Sequence, residues 1–334
     1  MGGKSLERVT LGSLAARLGL SKFAVSRALS GKSGVSADTR RRVQELAAEL
    51  GYARQPAPKE LQTLGLVFHD TDLINSELHV LIQSGVQAEA QRRGYQVRMR
   101  WTHLAEEVEA FVRTCSGAIM VGPHERDTYD RVYALDIPIV RTGWLDPLEQ
   151  ADFVGGSDHE AGSAVARYLV ELGHTAIAFV QGTPGYRGRM ERYYGVREVL
   201  EQLPQVSFRQ MTFEKEVRFT EHLRAIEAEG FRPTAFFCAH DGLAVTVISE
   251  LLRLGYRIPE DISVIGFGDY SAATQISPQL TTVKGHGQQI GAGCVRLLDD
   301  RINERMARDI PVRLLIASRI VNRASCGRAR RVAA

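Results

Sequence analysis

Cysteine is scarce. The 334 residues hold four, Cys115, Cys238, Cys294 and Cys326, far apart and with no Cys-x-x-Cys pair or histidine at metal-ligand spacing. That excludes a disulfide framework and a zinc site, and the thiols are expected to pack as small hydrophobes. Long apolar runs are missing too. Stretches such as Ala235–Ala239 fall far short of the ~18–20 residues that a membrane span needs. The opening Met1-Gly2-Gly3-Lys4-Ser5-Leu6-Glu7-Arg8 lacks the apolar core of a signal peptide, and Leu6 stands where a myristoylation signal wants Ser or Thr. A soluble, cytoplasmic chain with no membrane partner is expected. Gly-x-Ser-x-Gly, His-Glu-x-x-His and P-loop sequences are all absent. Gly266-Phe267-Gly268 follows an apolar run as a dinucleotide loop would, but Ser271 replaces the third glycine and no acid follows at the ~20-residue spacing. A nucleotide-dependent α/β enzyme is therefore the weaker alternative, and no catalytic residue, cofactor or metal is expected.

What is present is ordinary globular composition, 44% hydrophobic and 24% charged, at a length of about two domains of ~150 residues. The net charge of +3 hides an asymmetry. Residues 1–60 carry eleven Lys/Arg against five Asp/Glu, whereas residues 61–317 carry 26 against 34. From Ser318 onward there are five arginines and no acid. A basic head on an acidic body suits a polyanion-binding module joined to something else.

The first 52 residues read as three helices. Thr10 caps a stripe of Leu11, Leu14, Ala15 and Leu18, which Gly19 ends. Ser21 caps a second helix with Val25, Ala28 and Leu29 inward, and Ser36 a third over Ala37–Leu50 with Val43, Leu46, Ala47 and Leu50 inward. This is an all-α helix-turn-helix unit, whose second helix enters the major groove of DNA. Lys22, Phe23 and Arg27 fall on its outward face, where Arg27 can grip a guanine and Phe23 press on a thymine methyl. Ser21 and Ser26 are short donors for phosphates. A small bundle with a wet basic face would carry the same pattern. Pro56 and Pro58 mark 53–62 as a linker.

From Leu64 onward, apolar β-rich runs alternate with amphipathic stretches. The runs are Leu64–Phe68, Tyr95–Arg100, Gly117–Val121, Ile137–Arg141, Phe153–Gly155, Ala176–Val180, Ala235–Cys238 and Ile262–Gly266. Helical patterns at Glu77–Arg93, Glu160–Leu172, Glu191–Leu203 and Gly242–Leu254 lie between them. The alternation predicts parallel sheets covered on both faces, and ~270 residues suit two α/β lobes facing a cleft.

The run Val9-Thr10-Leu11 … Leu18-Gly19-Leu20-Ser21 … Val25-Ser26-Arg27-Ala28-Leu29-Ser30 … Leu50-Gly51-Tyr52 resembles the DNA-binding head of the lactose-repressor (LacI/GalR) family. The likeness continues through Val154-Gly155-Gly156-Ser157-Asp158, Arg192-Tyr193-Tyr194-Gly195, Phe237-Cys238-Ala239-His240-Asp241, Pro259–Phe267, Pro278–Val283 and Arg323-Ala324-Ser325. It implies a transcriptional repressor, homodimeric on a pseudo-palindromic double-stranded operator. The implied body is two-lobed and periplasmic-binding-protein-like, with three crossovers and a small-molecule effector between the lobes. A transport-type solute receptor shares that body but lacks the basic head. The expected division is a head over 1–52, a hinge over 53–62, an effector domain over 63–326 and a basic tail over 327–334. Lobe 1 takes 63–157 and 284–308, and lobe 2 takes 158–283 and 309–326.

The resemblance makes Thr10, Ser21 and Ser26 phosphate contacts, and Lys22, Phe23 and Arg27 base readers. Leu61 stands at the distance of the family's minor-groove leucine, although the two prolines fall where a hinge helix would run. In the cleft, Arg192 matches an effector-gripping arginine and His69 a cleft position. Asp158 serves either hinge packing or the ligand, while Trp101 and Phe219 either stack on a sugar face or belong to the core. His240 replaces a usual asparagine and Gly268 a usual aspartate, with Asp269 next to it as a substitute carboxylate. With Arg189 and Arg141 as further donors, the expected effector is a sugar, and more specifically a sugar acid or phosphorylated sugar.

Overall fold

The structure is a computed structural model. It describes residues 11–29, 35–50, 52, 62–72, 76–143, 145–182, 187–212, 218–307 and 309–330. Thr10, Leu61, nearly all of the 53–62 hinge and the last residues of the tail lie outside the described residues, as do the side chains of Phe23 and Ser26. The chain divides into two compact units, 1–60 and 61–334.

The head consists of α1 (Leu11–Leu18), α2 (Lys22–Leu29) and α3 (Ala37–Glu49). Ser21 accepts the Ala24 N–H at 3.1 Å and Ser36 the Thr39 N–H at 3.2 Å, so both expected caps are made. Leu14, Ala15, Val25, Ala28, Val43 and Ala47 form its core. Gly19, with φ of +66°, makes the turn between the first two helices in a backbone region that only glycine enters cheaply.

The larger unit contains two sheets, each six-stranded among the described residues. Lobe 1 is built on β1 (Thr63–Phe68), β2 (Gln96–Trp101), β3 (Gly117–Val121), β4 (Ile139–Thr142), β5 (Asp152–Gly156) and β11 (Arg313–Ile316), ordered β11-β5-β4-β3-β1-β2 and parallel throughout. On its faces lie α4 (Ser76–Arg93), α5 (Ala105–Val112), α6 (Arg126–Tyr133) and α12 (Gly287–Ile302). Lobe 2 is built on β6 (Ala176–Val180), β7 (Ser207–Met211), β8 (Ala235–Cys238), β9 (Ser263–Gly268), β10 (Thr281–Lys284) and β12 (Arg319–Val321), ordered β12-β10-β9-β8-β6-β7. Only the β10–β12 pair is antiparallel among the described strands. Its helices are α7 (Asp158–Glu171), α8 (Arg187–Leu200), α9 (Phe219–Ala228), α10 (Asp241–Arg253) and the short α11 (Ala272–Gln275). Strands such as β3 and β8 are buried along their whole length, as a parallel sheet covered on both faces requires.

The chain passes between lobes after β5, after β10 and between β11 and β12. The third crossing differs from expectation. The expected division places 309–316 in lobe 2, but Arg313–Ile316 pairs in register with Phe153–Gly156 of lobe 1. Cys115, Cys238 and Cys294 are buried and Cys326 is partly buried, all as free thiols. Among the described residues, no helix is long and apolar enough to cross a membrane.

Candidate DNA-binding head and effector cleft

In the head, the cap at Ser21 and the inward set Val25 and Ala28 fix which side of α2 faces solvent. Ser21 and Lys22 are exposed and Arg27 is partly exposed. The Ser21 oxygen accepts the Ala24 N–H, which leaves its hydroxyl hydrogen to donate to a phosphate. The exposed Arg17, Arg41 and Arg42 add positive charge to the same small unit.

In the body, parallel strands place ligand groups just beyond their carboxyl ends. Arg192 comes from α8 and reaches Ala239, the residue after β8. Helices α7 and α8 touch backbone to backbone: a Cβ on Gly162 would lie 2.1 Å from the Arg192 carbonyl oxygen, and one on Gly195 2.0 Å from that of His159. That crossing brings the Arg192 side chain to Asp158, whose Oδ1 accepts from its Nε at 2.8 Å. Its Nη1 donates to the Ala239 carbonyl, and the guanidinium lies flat on the Phe267 ring, 3.4 Å from the centroid. These contacts hold the guanidinium on three sides. Beside it, Asp158, Gly188 and Glu191 line a cavity of about 550 Å³ with Gly143, Phe153 and Leu315, within the size range of small-molecule sites.

His240 is the N-cap of α10. Its Nδ1 accepts the Leu243 N–H at 3.4 Å, so the ring proton sits on Nε2. Burial, with Arg189 and Arg192 near by, pushes its pKa down to about 3. The imidazole is therefore neutral at pH 7 and a donor. Asp241, fully buried, accepts from the Thr282 hydroxyl at 2.6 Å and from the Tyr270 N–H at 2.8 Å, and burial raises its pKa.

On lobe 1, His69 directly follows β1 and hydrogen-bonds Thr71 through Nδ1 at 2.9 Å. Burial lowers its pKa. Its ring meets those of His103 and His124 at 5.7 and 5.1 Å. His124 is 6% exposed, and neither ring nitrogen finds a hydrogen-bond partner among the described residues. Burial drives its pKa down to about 3.

Several expected residues have partners of their own within the protein. Phe219 takes the core alternative of its two readings: it is 2% exposed in the lobe 2 core, edge-on to Phe236 at 5.5 Å. Asp269 is no spare carboxylate: Lys284 and Arg323 bind it at 3.0 and 2.5 Å. Burial would raise its pKa, but these two cations outweigh burial and hold it below the usual range. Arg141 pairs with Glu149 and stacks on Tyr129 at 3.5 Å, so it is tied into lobe 1. Trp101 is 45% exposed, with one face stacked on Phe68 at 4.3 Å. Arg189 is buried and donates to the Gln181 carbonyl. His124, Tyr270 and Ser271 were not foreseen. Their position directly after strand ends was the available signal.

Residues 10–55 match the family described as bacterial regulatory proteins, lacI family, and residues 166–326 match a periplasmic binding protein-like domain. The HTH-type transcriptional repressor PurR of Vibrio atlanticus (strain LGP32) is 30% identical over 319 residues, covering 89% of this chain and 92% of the relative. The chain belongs to the LacI family. This LacI-family chain is accordingly a DNA-binding transcriptional regulator and not an enzyme. Among solved structures, the complex of the transcriptional regulator CelR with cellobiose aligns at a TM-score of 0.66 and 26% identity, covering 95% of this regulator and 100% of that chain. The lac repressor dimer bound to operator and an anti-inducer shares the fold, at a TM-score of 0.67 and 24% identity over 96% of this chain and 99% of that one.

Proposed function

We propose that this regulator is a homodimeric repressor whose two heads read a pseudo-palindromic operator, and whose cleft takes an anionic sugar derivative, a sugar acid or phosphorylated sugar. Lys22, Phe23 and Arg27 read base edges, and Thr10, Ser21 and Ser26 hold phosphates. For the dimer, the support is β2, an edge strand among the described residues, which exposes Met99 and Trp101; Val80 and Leu104 are exposed as well. An apolar edge strand of this kind calls for cover. The related fold of the lac repressor is a dimer on its operator.

The observation that carries the effector's charge is the commitment of Asp158 and Asp269, the two carboxylates that the sequence offers as sugar acceptors. Asp158 is bound to Arg192, and Asp269 to Lys284 and Arg323, while Arg192 and the His240 Nε2–H remain as donors. A guanidinium edge and an imidazole N–H match an oxyanion better than a hydroxyl-rich neutral sugar. Cellobiose is what CelR holds, so neutral sugars are the necessary comparison. Calorimetry with gluconate, glucose 6-phosphate, glucose and cellobiose tests the reading. Binding confined to the anions and abolished by Arg192→Ala supports it. Binding of the neutral sugars alone, unaffected by Arg192→Ala, refutes it.

A further inference from the structure

Hydrogen bonds pass directly from one lobe to the other at the start of α4. Glu77 Oε1 accepts the Ser271 backbone N–H at 2.7 Å, and Oε2 accepts the Ser271 hydroxyl at 3.1 Å. Glu77 belongs to lobe 1, and Ser271, 194 residues later, follows β9 of lobe 2.

The segment ending at Ser271 is engaged at each residue. Gly268 has φ of +133°, and a Cβ there would lie 2.3 Å from the Tyr270 ring, so the ring lies across the glycine in space that a side chain would need. Asp269 is held by Lys284, the last residue of β10 before a crossover, and by Arg323, just after β12. The Tyr270 N–H is fixed by the buried Asp241. Its phenol is mostly buried, with a pKa pushed up to about 12 by that burial, and it feels the charges of Arg192, Asp241, Glu77 and Asp158. Those charges come from both lobes. A segment tied to the chain near two crossovers, to the lobe 2 core and to the opposite lobe registers how far the cleft is closed.

We propose that Gly268–Ser271 is a closure latch, in which Glu77 holds Ser271 across the cleft and thereby sets Tyr270 as a wall of the effector site beside Arg192. The proposal rests on the reading of this cleft as the effector site. Glu77 is a positioning residue: it acts on the cleft through Ser271. A carboxylate accepting two hydrogen bonds is a strong acceptor, and this one reaches both donors only with the lobes together. An effector that touches Tyr270 gains that contact in the latched state alone, which is the differential affinity a ligand needs to shift an equilibrium.

The test needs no ligand. Spin labels on Glu106→Cys of α5 and Ser207→Cys of β7, both exposed positions, report the distance between lobes in the full chain by double electron–electron resonance. Glu77→Ala is expected to raise the open-to-closed ratio about three- to tenfold. Ser271→Ala, which keeps the backbone donor, should move it less in the same direction. Glu77→Gln, which keeps an amide acceptor, should recover most of the closed population. An unchanged distance distribution in Glu77→Ala overturns the latch, and so does an equal shift in Glu77→Gln and Glu77→Ala. Should Glu77→Ala fail to fold, Ser271→Ala decides: a shift toward the open state supports the latch, and a distance distribution identical to the parent's overturns it. The calorimetric panel tests the effector reading separately, so latch and effector chemistry can fail independently.

Discussion

Arg192→Met should destabilise the body, and the structure sets the size of the effect. The guanidinium and the Asp158 carboxylate are 14% and 20% exposed, so the pair is mostly desolvated. Removing one partner of a buried pair costs about 3–5 kcal/mol because the other charge is stranded. Partial solvent access to both groups reduces that to about 2 kcal/mol. The lost contact with Phe267 falls within this figure, since a cation–π contact contributes about 0.5–2 kcal/mol from exposed to desolvated settings. For a unit of this size the expected fall in Tm is about 3–5 °C. The double variant Arg192→Met/Asp158→Asn removes the stranded charge and should recover about half of the loss. Thermal denaturation followed by circular dichroism measures both. A single variant within about 1 °C of the parent refutes the reasoning, as does a double variant no better than the single.

Acid should destabilise the chain through its neutral histidines. The pKa values of His124 and His240 fall from 6.5 to about 3, burial being the main cause. Their contribution is whole above pH 6.5 and is lost as pH falls, by up to about 1.4 kcal/mol per unit for each group. Denaturant titrations between about pH 7 and 5 should show His240→Asn with the shallower slope, asparagine keeping the cap; equal slopes would contradict this. Ser21→Ala should cost the head about 1 kcal/mol by uncapping α2, read from the head's own melting transition. Gly268→Ala should be more costly than an exposed glycine change, because it meets both the positive φ and the Tyr270 ring, and a Tm equal to the parent's would contradict that packing.

The sequence was most readable where local chemistry and the apolar pattern agree. Ser21 and Ser36 precede clean stripes, and α2 and α3 begin where their caps place them. Buried strands such as Gly117–Val121 announce themselves as apolar runs. The edge strand β7, Ser207–Met211, carries polar residues on exposed backbone, and β11 shows leucines to solvent at a sheet edge, so neither has a periodic signal. Misplacing 309–316 followed from missing β11. In the cleft, Arg192 was singled out by the family resemblance and not by any local pattern, and its contacts depend on the α7–α8 crossing. The pairing of Asp269 was not legible, because what claims its carboxylate is Arg323, 54 residues away. The Glu77–Ser271 contact exists only when two lobes meet, and no local pattern encodes that.

The central claim is that α2 reads DNA sequence, and operator selection from a random duplex pool tests it most directly. The full chain, assayed by fluorescence anisotropy at about 150 mM salt, should bind the enriched sequence at least about 10³-fold more tightly than random duplex. Arg27→Ala should lose about 1–3 kcal/mol on that sequence and relax the preference at one base position. Lys22→Ala should weaken binding as well. Failure to enrich any sequence, or an Arg27→Ala variant with parental affinity and preference, would contradict the account.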